Sequence, residues 1–346
     1  MFWRLVPIAG FPQRGVVCPQ NKLLISRLLS PERYNRALFR QGARMSIQWY
    51  PGHMHAARKQ VAETMAKVDL VIEVVDARLP GSSTNPMIDQ LRRARQRPAL
   101  KILNKADLAD PALNARWLEW FRAQPATSAI LMGEDNKQGQ ARKLPQYCRE
   151  LAPHRTGAEK PLRAMIMGIP NVGKSTLINV LMSRRIANVA DTPGVTKSQQ
   201  RVETGEGFIL YDTPGLLWPK IERPESGYRL ALAGSVGRNA YNEEDVAWFA
   251  VETLQQRYPQ LLAARYKLDD LSLPADELFN QIGKKRGAVL GGGRIDRQKT
   301  AELILTDFRS GTLGRITLES PDDFLLPPEP LAPTDHTGSA DEDIAE

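Results

Sequence analysis

The stretch Gly168-Ile169-Pro170-Asn171-Val172-Gly173-Lys174-Ser175-Thr176 limits what this chain can fold into more than any other. It reads G-x-x-x-x-G-K-[ST]. The apolar run 162–167 precedes it as a buried strand, and Leu177, Ile178, Val180 and Leu181 follow it as the inner face of a helix. A glycine turn before a helix is the plainer reading, but the strand–loop–helix setting gives the pattern a mechanism. The glycines let backbone N–H groups turn inward, and the helix N-terminus adds partial positive charge, so the loop cradles a polyphosphate. Residues 171–176 would wrap the phosphates, with Lys174 on the β- and γ-phosphates and Ser175 on Mg²⁺.

A phosphate loop does not choose a base. Asn104-Lys105-Ala106-Asp107 does, and it follows the apolar segment 99–103 at a strand's C-terminal end, where open α/β sheets bind ligands. The Asp107 carboxylate is acceptor-only and can take both guanine N1–H and the 2-amino group. Asn104 can bond the purine N7 edge and tie the loop down, while the stem of Lys105 covers the ring. Ser128-Ala129 has the composition of a loop that touches guanine O6, but it begins a strand instead of following one. The loop at Gly133 is better placed for that contact.

The order of these motifs is unusual. The base reader precedes the phosphate loop, and Asp212-Thr213-Pro214-Gly215 follows it. This resembles a circularly permuted GTPase, an arrangement tolerable because domain termini tend to lie close together at the surface. The expected fold is α/β: a permuted P-loop GTPase domain with a mostly parallel sheet between helices at 45–222, then a small all-α domain at 223–318. Residues 1–44 read as a basic extension, with Met45 as the natural start or, alternatively, as an organelle transit peptide. Residues 319–346 read as an acidic disordered tail.

The coarse pattern along the chain supports that division. A helix is expected near 53–67 with Ala57, Val61, Met65 and Val68 inward, then a strand at 69–75 ending in Asp76-Ala77-Arg78. Asn85-Pro86 starts a helix with Ile88 and Leu91 inward and Arg92, Arg93, Arg95 and Arg97 outward. Pro111 opens another, 127–132 is a strand, and 188–200 has the composition of a mobile switch. From about residue 221 the strands stop. Asn242 and Asp296 are expected to cap two helices with apolar faces at Val246, Phe249, Ala250, Thr253 and Leu254, and at Ala301, Ile304, Leu305 and Phe308. The net charge of +8 points to a polyanionic partner, RNA before membrane. No apolar run approaches the ~18 residues of a membrane helix. Two cysteines cannot make a disulfide framework.

The segments 48–54 (Gln-Trp-Tyr-Pro-Gly-His-Met), Asp76-Ala77-Arg78, 104–107, 168–176, 193–196 and 212–215 occur in the order of the ribosome biogenesis GTPase A (YlqF-like) family, which this chain resembles over about residues 46–318. The resemblance implies hydrolysis of GTP to GDP and phosphate, coupled to late assembly of the large (50S) ribosomal subunit, in a cytoplasmic protein that is monomeric off the ribosome; a transit peptide at 1–44 would make it mitochondrial. Asp212 and Thr196 are expected to join Ser175 at Mg²⁺, and the Gly215 N–H to sense the γ-phosphate. Asn171 lies where potassium-dependent GTPases carry an Asn that ligates K⁺. Where many GTPases have a water-orienting Gln, this chain has Leu216, and the resemblance points to His53 as the replacement. Lys284, Lys285, Arg286, Arg297 and Lys299 are the expected rRNA contacts. An RNA-binding regulatory or RNA-modification-associated GTPase is the competing class; no separate modification domain or redox cysteine set supports it.

Overall fold

The structure, a computed structural model, describes residues 54–155, 160–182, 200–203, 207–213, 215, 217–218, 221 and 223–325. They belong to one compact unit, Ser46–Pro330. His53, the expected switch with Thr196, Leu216, the extension 1–44 and residues 326–346 lie outside the described residues.

Helix α1 (Met54–Lys67) leads into strand β1 (Leu70–Asp76). Helix α2 (Pro86–Ala94) follows, with Asn85 accepting from Met87 N as its cap, then β2 (Ala99–Asn104). Helix α3 (Pro111–Arg122) has Asp110 as cap and proline in its first turn, where the missing N–H costs nothing. Strand β3 (Thr127–Met132) and helix α4 (Lys137–Leu151) complete the first half. Strand β4 (Leu162–Met167), helix α5 (Lys174–Leu181), β5 (Gln200–Glu203) and β6 (Phe208–Asp212) make the second.

The sheet runs β3-β2-β1-β4-β6-β5, parallel throughout except for the β5–β6 hairpin. Every residue of β1 is buried, as expected for a central parallel strand covered on both faces. From β1 the chain moves outward through β2 and β3; from β4 it moves the other way through β6. The reversal between β1 and β4 is a topological switch point, the place where such sheets bind ligands beyond the strands' C-terminal ends. Register explains two charges inside the sheet. Glu73 lies opposite Lys101, and the two pair at 2.5 Å with both side chains almost wholly buried.

Five helices among the described residues follow: α6 (Pro224–Leu232), α7 (Glu243–Arg257), α8 (Pro259–Tyr266), α9 (Ala275–Lys285) and α10 (Arg297–Ser310). Asn242 and Asp296 cap α7 and α10, and Gly311 takes the left-handed conformation just past α10. The inward faces hold, apart from half-buried Thr253. No described helix is long and apolar enough to cross a membrane.

Three expectations are corrected. Arg92 is buried, not outward; it pairs with Asp89 at 2.7 Å and its Nη2 donates to Thr127 Oγ1, at the start of β3, at 3.1 Å. Val180 and Leu181 are only half-buried, unlike Leu177 and Ile178. The tail does not begin at 319. Glu319 is fully buried, accepting from Ser82 N at 2.7 Å and pairing with Arg229 at 3.1 Å, and Phe324 packs on Trp117 with ring centroids 5.6 Å apart. Composition missed this because the segment's polar atoms are satisfied by residues distant in sequence: Ile316 N on Leu108 O, Leu318 N on Arg78 O, and Trp117 Nε1 on Glu319 O.

Candidate nucleotide site

The phosphate loop leaves β4 and enters α5 at the switch point. Gly168, Asn171 and Gly173 have φ of +154°, +61° and +97°, a sequence of left-handed turns that aims backbone N–H groups into one concavity. A Cβ at Gly168 would strike Val74 O, and one at Gly173 would strike Asn104 Nδ2, so these glycines are demanded by close approach as well as by φ. The helix N-terminus supplies the partial positive charge of its unpaired N–H groups.

Lys174 is buried, and its Nζ donates to Ile169 O at 3.1 Å. Burial pushes its pKa down to about 8, against the opposing pull of Asp212. Asp212 ends β6; burial pushes its pKa up to about 6, while Lys174 and the Thr213 N–H pull it down. Both Asp212 carboxylate oxygens are buried, and apart from the neighbouring Thr213 N–H no donor among the described residues approaches them in hydrogen-bonding geometry. A buried carboxylate so placed costs energy unless a cation completes it. Gly215 comes close to the loop: a Cβ there would lie 3.1 Å from Pro170 Cα and 3.2 Å from Lys174 Nζ.

The expected base reader is physically joined to the phosphate loop. Asn104 Nδ2 donates to Val172 O at 2.7 Å, and Lys105 Nζ donates to Asn171 O at 2.9 Å. Lys105 has φ +60°, which turns the chain into the short 3-10 turn Ala106–Leu108 carrying Asp107. Asp107 Oδ1 accepts from Glu134 N at 3.1 Å, so the loop after β3 abuts the turn that carries Asp107. Gly133 N itself donates to Asn136 Oδ1 at 2.9 Å. Ser128 and Ala129 lie inside β3, away from that loop.

Residues whose place here the sequence did not reveal complete the surroundings. Asp76, at the end of β1, accepts from Lys105 Nζ at 2.9 Å and from Arg78 Nε and Nη2 at 2.9 and 2.8 Å. Burial alone would raise its pKa, but Arg78 and Lys105 outweigh that and hold it well below the usual carboxylate range. The available signal was position, because Asp76 closes a central parallel strand at the switch point. Asn171 Nδ2 donates to Gly234 O at 2.8 Å, and Arg315 Nε to Asp107 O at 3.1 Å. Both contacts come from the helical segment, which periodicity alone cannot dock.

Of the expected RNA contacts, Lys284, Lys285, Arg286 and Lys299 are exposed. Arg297 is committed elsewhere: it pairs with Glu244 at 3.0 Å and Asp276 at 3.1 Å, and lies over the Phe279 ring at 4.8 Å. The side chain of Arg309 is likewise turned inward, onto Ala231 O and Leu232 O.

A family model described as 50S ribosome-binding GTPase matches residues 163–274. Ribosome biogenesis GTPase A of Bacillus cereus is 44% identical over 287 residues, 81% of this chain and 96% of that protein. Its namesake in Priestia megaterium is 43% identical over 82% of this chain and all of that protein. The solved structure of GNP-bound YlqF from T. maritima aligns with a TM-score of 0.56 at 25% identity, over 77% of this chain and 99% of that one. The chain belongs to the ribosome biogenesis GTPase A family: it is a GTPase that acts in ribosome biogenesis.

Proposed function

We propose that the nucleotide sits across the β1/β4 switch point, with its phosphates on residues 171–176 and its guanine against Asn104, Lys105 and Asp107. The observation that carries this reading is the direct bond from Asn104 to Val172 O, which fixes base reader and phosphate loop as one cradle. Asp107→Asn is expected to move preference from guanine to xanthine nucleotides, because an acceptor pair becomes a mixed acceptor and donor. Equal wild-type affinity for ATP and GTP would remove the base-reader assignment.

The orphaned oxygens of Asp212 fit Mg²⁺, which Ser175, Asp212 and, from outside the described residues, Thr196 would hold. When bound, Mg²⁺ supplies charge neutralisation on the β- and γ-phosphates. Lys174 offers its ammonium to the same oxygens, and the Gly215 N–H marks the γ-phosphate. Asn171 carries an amide oxygen, a ligand type suited to hard cations such as K⁺, and its amide nitrogen is anchored on Gly234 O. Equal hydrolysis rates in potassium and sodium buffers would sink that role. His53 is the residue we assign to orienting the attacking water. His53→Ala is expected to keep GTP binding while losing subunit-stimulated turnover; full stimulated turnover in that variant would exclude it.

The partner we assign is the large ribosomal subunit precursor and its rRNA, met through exposed Lys284, Lys285, Arg286 and Lys299, with the protein monomeric off the ribosome and acting in the cytoplasm. The description "50S ribosome-binding GTPase" and the net charge of +8 support this partner.

A further inference from the structure

The Asp76-Ala77-Arg78 motif has no assigned role in the cradle, yet Asp76 borders it through Lys105. Arg78 is almost completely buried. Its Nε and Nη2 hold Asp76, while Nη1 reaches Phe308 O at 3.1 Å and Arg309 O at 3.4 Å, with the guanidinium 4.8 Å over the Phe308 ring. Those carbonyls end α10, where a helix leaves acceptors without intrahelical partners and where a cation is favoured by the helix dipole. The side chain of Arg309 repeats the device on the neighbouring helix. It donates to Leu232 O at 3.0 Å and Ala231 O at 2.9 Å, the last carbonyls of α6. The next turn presents Gly234 O to Asn171 Nδ2, which returns the chain of bonds to the phosphate loop.

The bonds therefore close a ring: Asn171, Lys105, Asp76, Arg78, the end of α10, Arg309, the end of α6, and Asn171 again. Asn171 is gripped twice, by Lys105 at its backbone carbonyl and by Gly234 at its side chain. A shift of the phosphate loop at this residue must move both grips. We propose that Asp76 and Arg78 are positioning residues that couple the guanine nucleotide site to the C-terminal ends of α10 and α6, so that nucleotide occupancy is felt by the helical region through this ring. The proposal deepens the nucleotide site argued above and rests on it. By linkage, whatever binds the helical region and shifts these helix ends also shifts nucleotide affinity.

A chain of contacts becomes coupling only when both ends bias it, which is measurable. Hydrogen exchange of the full chain, with and without saturating GDP, is expected to show GDP-dependent slowing at amides of 231–236 and 305–314. In Arg78→Gln, GDP affinity is expected to fall about fivefold or more. At saturating GDP the slowing at 305–314 is expected to be lost. Slowing equal to wild type in that variant overturns the proposal. If Arg78→Gln does not fold, Arg78→Lys is read the same way, since it keeps the charge but loses the planar fork. A double-mutant cycle on GDP affinity between Arg78→Gln, or Arg78→Lys in its place, and Asn171→Ala is expected to be non-additive; additive losses overturn the relay. Failure of wild-type protein to bind GDP would remove the site itself, whereas binding without remote slowing removes the ring alone.

Discussion

Asp212 and Lys174 are two buried charges that the nucleotide-free protein holds at some cost. The unfolded carboxyl titrates near 3.8 and the folded one near 6, so the native state binds the extra proton between those values. Stability from protonated Asp212 is therefore fully present below about pH 4 and is lost as pH rises through about 6. Lys174 has the opposite sign: its folded pKa of about 8 lies below its ordinary 10.5, so stability returns as pH rises between them. Asp212→Asn is expected to raise nucleotide-free stability at pH 7 by about 1–3 kcal/mol, with no advantage at pH 4, and to weaken magnesium-dependent GTP binding. Thermal melts across pH, beside nucleotide titrations with and without Mg²⁺, check both halves. A variant no more stable at pH 7 than wild type would show that the orphaned carboxylate is not strained.

At the scale of elements, the α9–α10 hairpin separates charges that look alike in sequence. Arg297 ties α10 to α7 and α9 through Glu244, Asp276 and Phe279. Lys285 pairs with Asp269 at 3.0 Å on an exposed rim, while Lys284 and Arg286 flank it in solvent. Arg297→Ala is expected to cost about 1–2 kcal/mol of stability, since it strips two carboxylates of a cation and a ring of its stack. Neutralising Lys284, Lys285 and Arg286 is expected to leave the melting temperature nearly unchanged and to flatten the salt dependence of large-subunit binding. Co-sedimentation at several salt concentrations measures the second effect; binding unchanged at every salt would leave these residues a solvated face.

Across the whole molecule, the segment after α10 returns to the base reader. Gly311, at φ +78°, packs so closely that a Cβ would come 2.6 Å from Leu108, one residue beyond Asp107. Ile316 N bonds Leu108 O, Arg315 bonds Asp107 O, and Asp110 N bonds Thr317 Oγ1. The loop that carries Asp107 is thus shaped partly by residues 207 and 208 positions later. Gly311→Ala is expected to cost about 1–2 kcal/mol, through left-handed backbone strain and displacement of Leu108, and to weaken GDP binding. Denaturant midpoints and GDP titration test the pair of effects; lost stability with unaltered GDP affinity would show that the segment braces the fold without setting the reader.

The local elements were legible because local forces make them. The six-residue strands Thr127–Met132 and Leu162–Met167, the caps at Asn85, Asn242 and Asp296 and the proline opening α3 each follow from propensity, capping and periodicity within a few residues. The motifs singled out the loop at 168–176 and the turn at 104–107 that bonds to it, and their order announced the permutation. What the sequence could not assign was which charges face one another across long separations. Arg92 read as outward and Arg297 as an rRNA contact because composition cannot see Thr127, Glu244 or Asp276 approach. Glu319 read as tail because its partners, Ser82 and Arg229, are distant in the chain. Asp76 and Arg78 read only as a motif until the fold set Lys105 on one side and the end of α10 on the other. Backbone propensity is a property of neighbours along the chain, whereas desolvating a charge is affordable only where the tertiary structure delivers its partner.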